Sequence, residues 1–563
     1  MTSEAKICQN CRHQFLIEPD DFAFYETIKV PPPTWCPRCR RLRRMAWQGY
    51  RILHKRKCDF SGDMVISTVP QDAPYKVYRQ DIWWSDTWDP KSYGRDYDFN
   101  RPFLEQWREL QLAVPLPSLM AEYSTLVSSD YCNAVATLNN CYLCFKFDNS
   151  EECAYCNTGS YMKECFDSSF CNYVELSYES TNLTKCARAF FSQDCEDSHD
   201  IWFSQNPVGC SDCVGCINLR NKSYHIFNQP YSKEEYKVIF EKYDFGAVEF
   251  VTEFQKKSDA FALTQPRRQF HGYKNQDVSG DYIYNCKNVT DSYMIRNAEN
   301  IRYAELLKAG PAYNCMDYTM FALKAEWIYE SCWVGIQTNN VKFSVWAYKN
   351  HDIEYCFGCM SSGNVFGCVG IRSGEYCILN KQYSKEEYNN LVPKIKKHMT
   401  AMPYTDHFAR VYSYGEMLPL EFSPWAYNDT TTFEWFPTKK EEAIRQGFAW
   451  RDEDSREYKP ASTEMPEHIK NVGDDILQAI LKCDQCGRNY QIISRELQFL
   501  RRFNLPIPRH CPLCRDFARI KQLNPMDIFD RTCAKCGKDI QTSYSPDRPE
   551  IVYCESCYQN EVV

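Results

Sequence analysis

The stretch that decides the fold runs from Asn285 to Cys368, where one short phrase recurs: Val289-Thr290-Asp291-Ser292, Ile301-Arg302-Tyr303-Ala304, Cys315-Met316-Asp317-Tyr318, Trp327-Ile328-Tyr329-Glu330, Val341-Lys342-Phe343-Ser344, Ile353-Glu354-Tyr355-Cys356 and Val365-Phe366-Gly367-Cys368. Its first residues step by 12 or 14, and Asn or Asp often precedes, as at Asn288, Asn300, Asn314, Asn340, Asp352 and Asn364. A period near 12 is too short for a helical repeat. It suits a β-solenoid, in which each coil stacks on the last at about 4.8 Å and buries its inward residues against its neighbours. Asn and Asp tolerate the left-handed corners such coils need. The earlier half repeats the phrase with Cys in the first slot: Cys141-Tyr142-Leu143-Cys144, Cys153-Ala154-Tyr155-Cys156, Cys165-Phe166-Asp167-Ser168, Cys195-Glu196-Asp197-Ser198 and Cys213-Val214-Gly215-Cys216. The pattern loosens between Val174 and Cys186.

Both halves end alike, since Cys216–Tyr236 matches Cys368–Tyr388 at a shift of 152. In that ending Ser232 and Ser384 stand three residues before Glu235 and Glu387, the capping-box spacing that starts a helix. A helix there would shield the open edge of the solenoid from pairing with another chain. The expected fold is therefore mainly β: a double β-solenoid (parallel β-helix-like) core with helical caps.

The ends of the chain carry a different signal. Cys8-x-x-Cys11, 24 residues, then Cys36-x-x-Cys39 recurs as Cys483-x-x-Cys486, 24 residues, then Cys511-x-x-Cys514. Adding 475 to each number of the first set gives the second, and the same shift takes Phe15 to Tyr490, Ile17 to Ile492, Phe24 to Phe499, Pro31 to Pro506, Pro33 to Pro508 and Arg44 to Arg519. These are two copies of one module. A third set is Cys533-x-x-Cys536, 17 residues, then Cys554-x-x-Cys557. Four thiolates in two knuckles satisfy a tetrahedral zinc ion, and a module of about 45 residues is too small to fold without one. A helix following the second knuckle, as in Arg40-Arg41-Leu42-Arg43-Arg44, gives the small zinc-ribbon or treble-clef pattern, with the helix dipole favouring the thiolates. Redox dithiols and iron–sulfur ligation are the competing uses of such pairs. Three structural four-cysteine zinc sites are the expected cofactors.

Residues Cys8–Arg44 and Cys483–Arg519 resemble the probable zinc-ribbon family, and Cys533–Cys557 resembles the CxxC-x17-CxxC zinc domain of bacteria and archaea. The whole arrangement is similar to zinc-ribbon proteins of bacterial candidate phyla. That resemblance implies zinc and no particular reaction.

The 563 residues make room for about three to five domains at roughly 100–200 residues each. The expected division is 1–60, first zinc module; 61–128, aromatic-rich cap; 129–240, first solenoid block; 241–280, linker; 281–392, second solenoid block; 393–470, linker with a short helix; 471–526, second zinc module; and 527–563, third. A net charge of −8 excludes a general polyanion binder. Nor does any run approach the ~18 apolar residues of a membrane span. With 32 Cys and no apolar run after a basic start, a reducing cytoplasm is expected. The solenoid cysteines read as small buried thiols, with Cys210, Cys213, Cys216, Cys356 and Cys359 as candidates for further metal; on a straight strand, residues three apart would face opposite sides.

One local patch departs from the acidic average. Arg38, Arg40, Arg41, Arg43, Arg44, Arg51, Lys55, Arg56 and Lys57 crowd one stretch without an acid, and suggest nucleic-acid backbone contacts. The competing reading is a helix paired with acids of the solenoid. Trp83, Trp84, Trp88, Tyr93, Tyr97 and Phe99 suit a packing layer better than a stacking platform. The string Arg451–Glu457 is expected to be exposed. No G-x-S-x-G elbow, P-loop, H-E-x-x-H or dinucleotide fingerprint occurs, so no catalytic residue or small-molecule substrate is assigned. The expected function is a non-enzymatic zinc-binding scaffold with a nucleic acid or another protein as partner; a β-helix carbohydrate-binding protein or enzyme and an iron–sulfur or redox protein are the alternatives.

Overall fold

The computed structural model describes residues 2–307, 310–320, 325–452 and 458–562. The chain divides into two units, each taken from two separate stretches: residues 1–119 with 270–452, and residues 120–269 with 453–563. Each combines cysteine modules from one terminus with one solenoid block.

In the second unit, parallel strands from Leu126–Val127 to Ser223–Ile226 form one continuous sheet, with Asn157 opposite Ser169 and Ile201 opposite Cys213. The coil is thus 12 residues long. Its local rule is a left-handed residue at every third position: Asn140, Leu143, Lys146, Asn149, Glu152 and Tyr155 all have φ between 50 and 59°. Each bend turns the strand after three residues, so the residue following each bend points inward and a coil presents four of them. Cys141, Cys144, Cys153 and Cys156 all occupy that inward position and are buried. The straight-strand argument is corrected here: residues three apart share the inner face because a bend separates them. The stretch between Val174 and Cys186 is also regular, with Val174 opposite Cys186. Ser177, Ser180 and Leu183 simply fill the inward slots.

A left-handed conformation costs a non-glycine residue about 1–2 kcal/mol. The expense recurs along the block and is offset by contacts between equivalent corners one coil apart. Asn182 donates to Asp194 at 2.7 Å and Asn206 to Asn218 at 2.9 Å. Phe191 stacks on Phe203 with centroids 4.6 Å apart.

In the first unit the second block starts at Gly272–Tyr273, within the segment expected to be linker, and follows the same rule. One step lengthens to 14 residues, from Ile301 to Cys315, and others to 13, as from Tyr329 to Lys342 and Cys332 to Val345. From Asn339 opposite His351 onward the coil returns to 12. Ile301 lies inward between Val289 and Cys315 and has no solvent exposure. An Ile301→Ala chain should lose about 2–5 kcal/mol through the cavity left in this stack, measured by chemical denaturation.

Both blocks end as expected. The last parallel strand folds back into an antiparallel pair, Gln229–Pro230 in one block and Lys381–Gln382 in the other. The helices Lys233–Phe240 and Lys385–Ala401 then start on closed capping boxes. Tyr236 packs on Tyr224 at 5.8 Å, and its counterpart Tyr388 on Tyr376 at 5.7 Å.

The segment 241–280 is more than a linker. Its helix Val248–Leu263 packs Phe254 against Phe203 and Phe227, and Arg267–Arg268 pairs in parallel with Val552–Tyr553 of the third module. The aromatic-rich stretch is a packing layer. Trp83 meets Trp346 at 5.5 Å, Phe103 meets Phe366 at 5.3 Å, and Trp107 Nε1 donates to the Tyr355 carbonyl at 2.8 Å. Residues 453–457 of the charged string lie outside the described residues.

Candidate metal centres and the arginine helix

Each cysteine module begins as a short antiparallel hairpin whose turn is a knuckle. In the first, Glu4–Ile7 pairs with Gln14–Ile17, and the Cys8 N–H donates to the His13 carbonyl at 2.9 Å. In the second, Leu481–Lys482 pairs with Asn489–Tyr490, and the Cys483 N–H donates to Arg488 at 2.9 Å. The third repeats this with Phe529–Thr532, Asp539–Thr542 and a Cys533 N–H to Lys538 bond of 2.8 Å. Such a turn needs a left-handed residue, which is Gly487 or Gly537 in two modules and Arg12 in the first.

The second cysteine pair opens a helix. Cys36 and Cys511 are the N-caps of Pro37–Met45 and Pro512–Ile520, and Glu555–Val562 follows Cys554. The two helices of the paired modules, like Pro19–Thr27 and Ser494–Arg502 before them, keep the 475-residue shift end to end. These frames bring together Cys8, Cys11, Cys36 and Cys39; Cys483, Cys486, Cys511 and Cys514; and Cys533, Cys536, Cys554 and Cys557. Within each set all four Sγ atoms lie within 4.8 Å of one another, so each can hold one metal ion. Facing sulfurs approach to 3.7 Å for Cys11–Cys36, 3.7 Å for Cys486–Cys511 and 3.8 Å for Cys536–Cys554.

The electrostatics of the clusters ask for a cation. The Cys36 and Cys39 thiols donate toward Cys8 and hold it far below the ordinary thiol range. The same contacts drive Cys39 far up, because its ionisation would place a second negative charge beside the first. At the second site, burial works against ionisation of Cys483, but backbone N–H groups of Cys511 and Cys486 outweigh it and bring the thiol down to about 7. A dication at the centre removes the conflict between thiolates.

The solenoid cysteines behave differently. Cys210, Cys213 and Cys216 each donate to the carbonyl two residues back, at 3.4, 3.3 and 3.4 Å, and Cys356 does so toward Glu354 at 3.4 Å. Burial pushes Cys195, Cys356 and Cys368 well above the ordinary thiol range. They are neutral core side chains, and none of the 32 cysteines forms a disulfide.

The arginine-rich helix faces inward. Arg43 and Arg44 have no solvent exposure, and Arg40, Arg41, Arg51 and Arg56 are buried. Arg40 and Arg44 both reach Asp317, Arg44 at 3.1 Å. Glu305 takes Arg41 at 2.6 Å and Arg44 at 2.9 Å, while Glu330 and Glu416 take Arg43. Arg51 lies 3.3 Å from Glu434, and Arg56 donates to Asp59 and to the carbonyls of Pro70 and Tyr75. Four guanidinium groups thus meet four carboxylates in one layer. The expectation of a phosphate-contacting face is corrected: burial removes these six arginines from a phosphate's reach and leaves Arg38, Lys55 and Lys57 exposed.

The second unit builds the same layer. Arg515 and Arg519 stand where Arg40 and Arg44 do, and both reach Asp167, at 2.5 and 3.0 Å. Arg515 also meets Glu496, and Arg519 meets Glu179. The finer contacts correspond as well. Arg519 Nε donates to Ser169 and its Nη2 to the Tyr155 carbonyl, as Arg44 does to Thr319 and Tyr303. The acids of this layer were missing from the sequence reading; their only signal is an acid in the third slot of the repeat phrase, as at Asp167 and Asp317.

A groove of about 450 Å³ lies on the first solenoid block, lined by Tyr161, Tyr173, Glu175, Lys185, Asp197 and His199 among others. No helix among the described residues is long and apolar enough to cross a membrane. Comparison with family models, with curated proteins and with solved structures finds no match to this chain.

Proposed function

We propose that the protein is a non-enzymatic scaffold whose terminal ribbons are folded by three structural zinc ions and locked onto β-solenoid flanks. The observation that carries this reading is the spacing of the sulfurs. With Zn–S near 2.3 Å, tetrahedral geometry requires S···S of about 3.8 Å, and the facing pairs stand at 3.7, 3.7 and 3.8 Å. Four protein thiolates close the coordination shell, so no position is left for a substrate, which is the mark of a structural rather than a catalytic site. The same sets fit the zinc-ribbon resemblance of both termini. Once bound, zinc supplies folding free energy to modules too small to hold their shape alone.

With the helix arginines committed to acids of their own unit, a nucleic-acid contact would rest on Arg38, Lys55 and Lys57 in a chain of net charge −8. The partner of the solenoid surface is therefore read as a protein. The groove on the first block is the feature a glycan reading has to use. There Tyr161 and Tyr173 stack flat on each other, 4.7 Å apart at an interplanar angle of 1°, which spends ring faces a sugar would need. Lys185 stands 3.9 Å from Asp197 and further occupies that acid.

Native mass spectrometry of the full chain should find three zinc ions in a colourless protein that shows no salt-sensitive retention on nucleic acid. One ion or none would refute the metal reading; brown protein carrying iron would shift it to iron–sulfur ligation.

A further inference from the structure

The 475-residue correspondence does not stop at the arginine helix. Carried onward, it places Cys58 on Cys533, Ser61 on Cys536, Arg79 on Cys554 and Ile82 on Cys557. The backbone follows. His54–Lys57 pairs with Met64–Ser67 in the register that Phe529–Thr532 uses with Asp539–Thr542, starting from His54 opposite Ser67 and Phe529 opposite Thr542. Val77–Tyr78 corresponds to Val552–Tyr553, and the helix Gln80–Trp84 starts where Glu555–Val562 does.

The knuckle itself is retained bond for bond. The Cys58 N–H donates to Asp63 at 2.8 Å, the Gly62 N–H to Cys58 at 2.9 Å and the Asp59 N–H to Val77 at 2.8 Å. The matching bonds of the third module run from Cys533 to Lys538, Gly537 to Cys533 and Ala534 to Val552 at 2.8, 2.9 and 2.9 Å. Gly62 and Gly537 share the left-handed turn position, with φ of 78° and 74°. Most telling is the sulfur: the Arg79 N–H donates to Cys58 Sγ at 3.3 Å, as the Cys554 N–H does to Cys533 Sγ at 3.2 Å. Burial agrees corner by corner. Cys58 and Cys533 are buried, Ser61 and Cys536 exposed, Ile82 and Cys557 intermediate. Arg56 and Arg531 each brace the loop by donating to its carbonyls, Pro70 and Tyr75 in one case and Ser545 and Glu550 in the other.

We propose that residues 54–84 are a fourth ribbon, a latent four-thiolate metal site that has kept its frame and one sulfur while Ser61, Arg79 and Ile82 stand where three ligands belong. The ion pairs of Arg79 with Asp63 and Asp81, both 2.6 Å long, are half exposed and do not stand in for a metal. The frame is held by packing within its unit: Trp83 is buried with its Nε1 on the Pro115 carbonyl at 3.0 Å, Tyr75 donates to Phe422 at 3.1 Å, and Val77–Tyr78 pairs with Leu116–Pro117. The ligand class is a soft divalent cation, for which zinc is the probe. This inference rests on the metal reading of the three complete clusters.

The test is the full chain carrying Ser61→Cys, Arg79→Cys and Ile82→Cys together, purified with zinc and weighed under native conditions beside the unsubstituted chain. Four ions on the variant against three on the parent is the expected result. Three on both, with the variant folded, overturns the proposal. A variant that folds only when zinc is supplied supports it, since a metal-competent set of ligands is stabilised by its ion; one that zinc does not rescue overturns it. Fewer than three ions on the parent would instead defeat the metal reading, and this inference with it.

Discussion

An Asp317→Asn chain should lose about 3–5 kcal/mol in its first unit, the usual consequence of removing one partner from a buried ion pair. Asp317 faces two guanidinium groups, those of Arg40 and Arg44, in a layer with no solvent exposure at Arg43, Arg44 or Asp317. Without its charge, four buried cations are left with three carboxylates, and desolvation of the excess is uncompensated. Asp167→Asn should do the same to the second unit, where Arg515 and Arg519 converge on one carboxylate. Because the units unfold separately in this reading, hydrogen exchange of peptides from each is the suitable measurement. Asp63→Asn serves as the control: its pair with Arg79 is exposed and worth under about 1 kcal/mol. The doubly apolar Arg40→Met, Asp317→Leu chain should recover most of the loss, since the layer then contains no orphan charge from that pair. An Asp317→Asn chain as stable as the parent would show that this layer is not paired as described.

The sequence made some of this architecture legible and hid the rest for physical reasons. Metal ligands must be close in space and come from tight knuckles, so Cys8, Cys11, Cys36 and Cys39 announce themselves by spacing alone. The 12-residue coil was legible because every coil repeats the packing of the one before. Its four-sided section was not: Leu143, Lys146 and Tyr155 adopt left-handed conformations that their residue types disfavour, and only stacking between coils makes these affordable. The arginine helix reads locally as a basic surface because its partners, Glu305, Asp317 and Glu330, lie some 260 to 290 residues away in the chain. The fourth ribbon was hidden from a search for cysteine pairs, since Ser61, Arg79 and Ile82 removed the pairs and left the frame.

Stripping the ions with a strong chelator should have the largest effect of all, because structural zinc contributes on the order of 10–16 kcal/mol to each small module. The readout that separates metal loss from general loosening is thiol alkylation, residue by residue. Cys486 and Cys536 are exposed to solvent, and only coordination to an ion can protect them. In the zinc-loaded chain both should label slowly; after chelation they should label first, followed by the other ten cysteines of the three clusters. The helices Pro37–Met45 and Pro512–Ile520 start at ligand cysteines, so their loss also unseats Arg40, Arg44, Arg515 and Arg519 from the buried acids. Cys153, Cys216 and Cys368 point into the solenoid, are fully buried and donate to coil carbonyls, and should stay unlabelled under the same conditions. Labelling that is fast at Cys486 and Cys536 before chelation and unchanged after it would mean that no ion closes those clusters. Labelling that spreads at once to the inward cysteines would mean that the coils, and not only the ribbons, depend on the metal.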